Sequence, residues 1–229
     1  LKNLIFIKEI IMKKIINLSI SVIFTSLFFM AAPIHSLEKG DWIVRAGYTN
    51  INPASNNGEI VNVDAKSNLT ATFAYLVSSN VGLEVLAGLP FEHEIFDKAL
   101  GTGLKIGSGT HLPPTVSVQY YLSPRSNIRP YLGLGLNHTF FFDEKTDGPL
   151  EGASLDLGSS TGLVYQFGID WELDKNLILN IDIRKFDLET TASVTNIDRS
   201  PLKDTLPASL NFNVPLDPVT VGIGFSWIF

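Results

Sequence analysis

Eight stretches of the chain alternate large apolar residues with small or polar ones, and a period of two predicts amphipathic β-strands. In VTVGIGFSWIF at 219–229, one side is wholly apolar, whereas the other carries mainly Thr, Gly and Ser. The eight segments are 41–51, 68–77, 80–90, 112–122, 128–142, 158–172, 176–190 and 217–229. Such apolar faces fit the core of a soluble sandwich as well as the lipid face of a membrane barrel.

The connections between these segments are alternately long and short. The long ones are rich in Gly, Asn, Asp and Pro, and they cover 52–67, 91–111, 143–157 and 191–216. The short ones are tight turns at 78–79, 123–127 and 173–175. Short periplasmic turns that alternate with long extracellular loops are typical of bacterial outer-membrane proteins. We therefore expect an all-β fold, an eight-stranded antiparallel transmembrane β-barrel with both chain ends on the periplasmic side.

The tryptophans test this topology independently. If the strands run alternately up and down, Trp42 begins an upward strand, while Trp171 and Trp227 end downward strands. All three then lie at the periplasmic end on the outward face, where Tyr75 and Tyr120 join them. Aromatic belts form at lipid headgroups because indole and phenol rings have an apolar body and a polar edge. The distribution therefore predicts that the barrel lies in the cell outer membrane.

Residues 1–36 differ in character from the rest of the chain. From Met12 the sequence has two lysines, then an apolar run to about Phe29, then small residues before Ser36. This order predicts a secretory signal peptide, and residues 1–11 then form an upstream extension. A membrane anchor helix is the disfavoured alternative, because Asn, Ser and Thr interrupt the apolar run. We expect residues 1–36 to be removed and residues 37–229 to form one barrel domain.

Composition excludes several classes of function. Residues 1–36 contain four Lys and one Glu, so the remainder has 13 basic and 22 acidic residues and a net charge of about −9. Such a charge disfavours nucleic acid as a partner. The chain contains no Cys, so disulfides and thiol chemistry are absent. The sequence has no nucleophile motif, so we expect no enzymatic activity. We also expect no cofactor and no metal; a surface metal site at His93 and His111 is the weaker alternative.

The inward-facing positions divide the expected lumen into two halves. Charged residues at middle or periplasmic depth should pair into a plug: Arg45, Glu84, Asp170, Asp182 and Arg184. Apolar residues should line the upper lumen as a ligand path: Leu86, Phe141, Val164, Phe186 and Leu188. Apolar walls above a charged floor would admit a small hydrophobic ligand from outside and favour sideways release. The alternative is a solid plug in a purely structural barrel.

Several motifs resemble the outer-membrane protein W (OmpW) family along the whole of 37–229. They are Arg45-Ala46-Gly47, HLPPT at 111–115, RPYLGLGLN at 129–137, FFD at 141–143, the Gly-rich sixth strand and Phe229. The resemblance implies an eight-stranded barrel that passes small hydrophobic compounds across the outer membrane. A structural barrel whose outer loops bind partners is the alternative function.

The expected partners follow from this assignment. They are the lipid bilayer, lipopolysaccharide, the outer-membrane assembly machinery and a small hydrophobic ligand. Phe225, Trp227 and Phe229 are aromatic at every second position. They resemble the terminal aromatic signature by which the assembly machinery recognises such chains, and this role comes from the resemblance alone.

Overall fold

The computed structural model of the protein describes residues 36–53, 57–122, 127–174 and 177–229. The expected signal segment therefore lies almost entirely outside the described residues, as do parts of two short turns. The strands are β1 (Trp42–Asn52), β2 (Val61–Val63), β3 (Lys66–Ser78), β4 (Val81–Gly88), β5 (Phe91–Asp97), β6 (Lys105–Leu112), β7 (Thr115–Tyr121), β8 (Ile128–Thr146), β9 (Ser154–Leu157), β10 (Ser160–Asp174), β11 (Leu177–Phe186), β12 (Glu189–Thr195), β13 (Leu210–Pro215) and β14 (Val219–Ile228). Two short 3-10 helices cover Gly148–Leu150 and Ile197–Arg199.

Eight of these strands close an antiparallel barrel, which confirms the predicted fold. Their order around the barrel is β10, β11, β14, β1, β3, β4, β7 and β8, and pairing of β8 with β10 closes the ring. Within the described ranges, no helix is both long and apolar enough to cross a bilayer.

The long connections are more ordered than the sequence pattern indicated. They contain six further strands. Next to β8 the sheet continues through β6, β5 and β2 in that order, and β13, β12 and β9 form a separate three-stranded sheet. The predicted segment 176–190 is also divided between β11 and β12. Its alternation continues through Leu188, but the Leu188 N–H donates to the Asp217 carboxylate instead of to a barrel strand. The segment therefore leaves the barrel wall at this point.

The barrel wall has its apolar face outward. In β8, Leu132, Leu134 and Leu136 are 52%, 53% and 60% exposed, whereas the inward Gln119 and Gln166 are buried. This arrangement reverses that of a soluble protein, because the outer face meets lipid and the inner face carries the polar groups.

The inside of the barrel is narrow, and small residues make room for large ones. A Cβ atom added at Gly168 would lie 2.1 Å from the ring of Tyr131, so only glycine fits opposite this buried tyrosine. Tyr131 packs with Tyr121, Ile43 and Leu76 in an apolar cluster at the periplasmic end. An eight-stranded barrel has just enough interior to be filled by side chains, and this end is filled.

Candidate functional site

Five charged side chains meet inside the lower half of the barrel, and we call them the charged floor. Arg45 lies 3.3 Å from Glu84 and 3.1 Å from Asp170. Arg184 lies 3.0 Å from the other oxygen of Glu84 and 2.6 Å from Asp182. Glu84 therefore bridges the two guanidinium groups. All five residues are less than 10% exposed, so the structure brings together the residues whose pairing the sequence predicted.

Uncharged polar side chains complete this network, and sequence analysis did not single them out. Tyr121 accepts a hydrogen bond from Arg45, and Gln166 donates to Asp182. Asn180 donates to Asp170 and to the Tyr131 hydroxyl, and Gln119 donates to Gln166. All five lie at inward positions of their strands, so the same alternation could have identified them. The network fills the lumen, and its role as a plug remains a prediction.

A cavity of about 220 Å³ lies above the charged floor, and we call it the upper cavity. Its walls come from the strands outside the barrel as well as from the tops of the barrel strands. Its apolar lining includes Val63, Ile95, Ile106, Phe141, Leu155, Leu157, Leu188, Ala192, Phe212 and Val214. Most of these residues belong to segments that the sequence pattern had indicated only as loops.

The five residues predicted for the upper lumen occupy three levels. Phe141 and Leu188 line the upper cavity. Val164 and Phe186 are buried in the apolar cluster that contains Leu188. Leu86 is half-buried lower down, where it lines a smaller cavity of about 40 Å³. The structure therefore places all five at inward positions, and their role as a ligand path stays a prediction.

The smaller cavity lies beside an interruption in the barrel wall. Pairing of β4 with β7 ends at Leu86 and Thr115, and pairing of β5 with β6 resumes at Phe91 and His111. Residues 87–90 on one side and 112–114 on the other separate these pairs, and we call them the ladder break.

Three residues of the ladder break are proline, so they have no N–H to donate across it. Other polar groups of the break bond to the strands on either side instead. The Leu89 N–H donates to the Leu69 carbonyl, and the Pro114 carbonyl accepts from the His138 N–H. The smaller cavity is lined by Gly88 and Pro113 of the break, so it lies directly against this part of the wall.

Two histidines, which the sequence offered together as the weaker alternative of a surface metal site, lie side by side at the upper cavity. The Nε2 atoms of His93 and His111 are 3.1 Å apart, and both residues line the cavity. Burial lowers the pKa of His93, and burial together with the neighbouring His93 lowers the pKa of His111 to about 3. In the part of the chain that the structure describes, no group of three or more His, Cys, Asp or Glu residues could hold a metal ion.

The predicted belt and terminal aromatics lie on the outer surface. Trp42 and Tyr120 are exposed, Tyr75 and Trp171 are partly exposed, and the Trp42 and Tyr75 rings are 5.1 Å apart. Phe225, Trp227 and Phe229 are also exposed on this side. Their positions agree with the predicted strand alternation, whereas contact with headgroups and recognition during assembly remain predictions.

Comparisons with known proteins agree with this geometry. The sequence model of the OmpW family matches residues 38–229. Outer membrane protein W of Vibrio cholerae serotype O1 is 38% identical over 71% of this chain and 81% of that protein. The dibenzothiophene metabolism operon protein PahQ of Pseudomonas aeruginosa is 29% identical over 73% of this chain and 82% of its own length. The crystal structure of OprG from P. aeruginosa has a TM-score of 0.76 and 30% identity, covering 86% of this chain and 99% of OprG. The chain belongs to the OmpW family and lies in the outer membrane as a β-barrel.

Proposed function

We propose that this barrel passes small hydrophobic molecules from outside the cell into the outer membrane and releases them laterally into the bilayer. The upper cavity carries the proposal, because its walls are apolar and its volume is about 220 Å³. Apolar cavities of about 150 Å³ bind benzene in other proteins, so this cavity suits molecules of similar size or somewhat larger. The printed name of PahQ refers to dibenzothiophene, an apolar aromatic compound.

Lateral release is favoured because the axial route leads into the charged floor. A hydrophobic molecule that continued along the axis would have to separate Arg45 and Arg184 from their carboxylates. Separating buried charges from their partners without replacing those contacts is costly. The molecule therefore meets an energetic barrier below the upper cavity.

The ladder break supports a sideways route. Ile51 lines both the upper and the smaller cavity, so the two cavities adjoin at this residue. The smaller cavity reaches Gly88 and Pro113 of the break, and Leu89 is 52% exposed on the surface. A molecule that moved from one cavity to the next would reach the wall where cross-strand pairing is interrupted.

The remaining partners are proposed on chemical grounds. The exposed apolar wall sits in the lipid bilayer, and the outer leaflet would surround the extracellular rim with lipopolysaccharide. The exposed Phe225, Trp227 and Phe229 support recognition by the outer-membrane assembly machinery. The function proposed for the barrel is transport, without a catalytic step.

Uptake of an apolar fluorophore into Gram-negative cells tests the proposal. N-phenyl-1-naphthylamine is suitable because its fluorescence rises when it reaches lipid. We expect wild-type protein to accelerate its uptake, and Leu188→Asp to reduce uptake to the level of cells without the protein, because the carboxylate would lie in the upper cavity. Leu104→Asp is the matched control, since Leu104 is 53% exposed outside the barrel strands.

Folded barrel content must be equal in these strains, and unheated gels measure it because a closed barrel shifts in mobility on boiling. Wild-type uptake by folded Leu188→Asp protein, or no acceleration by the wild type, would contradict transport. Either result would favour a structural or surface-interaction barrel.

A further inference from the structure

Two buried histidines face the upper cavity from neighbouring strands. His93 lies in β5 and His111 in β6, where His111 pairs with Phe91. They are 6% and 7% exposed, and their ring centroids are 5.0 Å apart. Phe91 and Phe141 flank the His111 ring at centroid distances of 5.6 and 5.9 Å. A polar pair is thus set into a mainly apolar wall.

The hydrogen bonds of the pair determine where its protons lie. His93 Nδ1 is 2.6 Å from the Asp64 carbonyl oxygen, and because a carbonyl can only accept, Nδ1 carries the hydrogen. In a neutral ring, His93 Nε2 is then an acceptor. His111 Nε2, which lies 3.1 Å away, must therefore donate to it. This tautomer leaves His111 Nδ1 with a free lone pair.

His111 Nδ1 has no hydrogen-bond partner although it is buried. The other polar side chains of the cavity are bonded within the protein: Thr102 donates to Asp97, Thr146 to the Ala153 carbonyl and Thr190 to the Gly158 carbonyl. A buried acceptor without a donor is destabilising, so its retention calls for an explanation. A donor on a bound ligand would provide one.

We propose that His111 Nδ1 accepts a hydrogen bond from the hydroxyl group of the transported molecule, so that the upper cavity selects small apolar alcohols and phenols over bare hydrocarbons. This inference rests on the proposed transport function. Within the described part of the chain, no Lys or Arg lines the cavity, so an anionic ligand would find no counter-charge there. Neighbouring atoms shield Nδ1 from water, so an entering hydroxyl must displace part of this covering to reach it.

A pair of probes that differ only in the hydroxyl group tests this selectivity. The full-length barrel in lipid nanodiscs is titrated with 1-naphthol and with 1-methoxynaphthalene, after subtraction of the signal from nanodiscs without protein. We expect 1-naphthol to bind about fivefold more tightly, as one hydrogen bond typically provides.

A His93→Phe, His111→Phe double variant and a His93→Gln variant separate recognition from structure. The double variant removes both imidazoles and therefore every acceptor of the pair, so the preference should fall to about onefold. His93→Gln can still accept from His111 Nε2, so the preference should remain.

The outcomes distinguish this inference from the proposed function. Equal wild-type affinity for the two probes, or an unchanged preference in the His93→Phe, His111→Phe double variant, would overturn hydroxyl recognition and leave hydrophobic transport intact. Binding of neither probe by the wild type would overturn both. The wild-type comparison needs no variant, so it decides the matter even if a substitution impairs folding.

Discussion

The charged floor lies inside the barrel and the upper cavity lies above it, and the two are built differently. The floor consists of side chains from the barrel strands, and its Arg and carboxylate groups are paired with one another. Much of the upper cavity is lined by β2, β5, β6, β9, β12 and β13, which lie outside the barrel. We therefore expect changes in the floor to alter barrel stability, and changes in the cavity lining to alter ligand binding with less effect on the wall.

The largest expected loss comes from the centre of the floor. Glu84→Ala removes the carboxylate that bridges Arg45 and Arg184 and leaves two buried guanidinium groups short of a counter-charge. Breaking a buried pair in this way typically lowers the free energy of unfolding by about 3–5 kcal/mol. Urea unfolding in phospholipid vesicles measures the loss.

The control for this variant is Glu59→Ala, because Glu59 is exposed outside the barrel strands. We expect it to change stability by less than about 0.5 kcal/mol. A similar small change for Glu84→Ala would show that the floor does not stabilise the barrel.

The outer wall provides the second prediction. Val221 is 49% exposed on the lipid-facing side of β14, so Val221→Arg should destabilise the barrel, by about 2–4 kcal/mol for a charge at the midplane and by less toward the interface. Leu104→Arg is the matched control in the extracellular region, where the guanidinium stays in water. Equal folded fractions for the two variants in lipid vesicles would contradict the assigned lipid face.

Much of the barrel could be predicted from the sequence because alternation carries information wherever one face meets lipid. Arg45, Glu84 and Asp182 fall at inward positions, and a barrel of eight strands leaves them little choice of partner. Asp182 and Arg184 lie two residues apart on the inward face of β11, so their pairing follows from the alternation itself. The position of Glu84 between both arginines could not be predicted, because it depends on the register between strands.

The upper cavity was less predictable, because short strands show little alternation and because contacts between strands depend on register. Short strands such as Val61–Val63 and Ser154–Leu157 contain too few residues for a period to emerge. The pairing of His93 with His111 depends on the register of β5 and β6, which no local pattern encodes. The interruption at Pro90 and Pro113 had a sequence signal, since proline removes a ladder donor.

The third prediction concerns pH and the β5–β6 hairpin. The pKa of His111 is lowered to about 3 in the closed hairpin. Between pH 6.5 and pH 3, His111 therefore stays unprotonated in the closed hairpin, whereas it binds a proton when the hairpin opens. The free energy of opening should therefore be constant above pH 6.5 and fall between pH 6.5 and pH 3. At pH 5.0 the fall should be about 2 kcal/mol.

Hydrogen exchange of the β5 and β6 amides, corrected for intrinsic rates, measures this opening at pH 7.0 and 5.0. A His93→Phe, His111→Phe double variant should lose most of the pH dependence because it has no imidazole to protonate. Equal pH dependence in the two proteins would show that other groups are responsible.

The last prediction separates the upper cavity from the route out of it. Gly88 lines the smaller cavity, and a Cβ atom there would lie 3.3 Å from the Thr70 methyl group and 3.5 Å from the Phe91 ring. Gly88→Val should therefore obstruct the ladder break and reduce fluorophore uptake by about tenfold, a barrier increase of about 1.4 kcal/mol. Ala87→Val is the control, because Ala87 is exposed on the outer face. Binding of 1-methoxynaphthalene should be unchanged in both variants, since neither residue lines the upper cavity. If folded Gly88→Val protein takes up the fluorophore at the wild-type rate, release does not pass through the ladder break. If the variant instead loses both fluorophore uptake and binding of 1-methoxynaphthalene, the two cavities are not separate steps of one route.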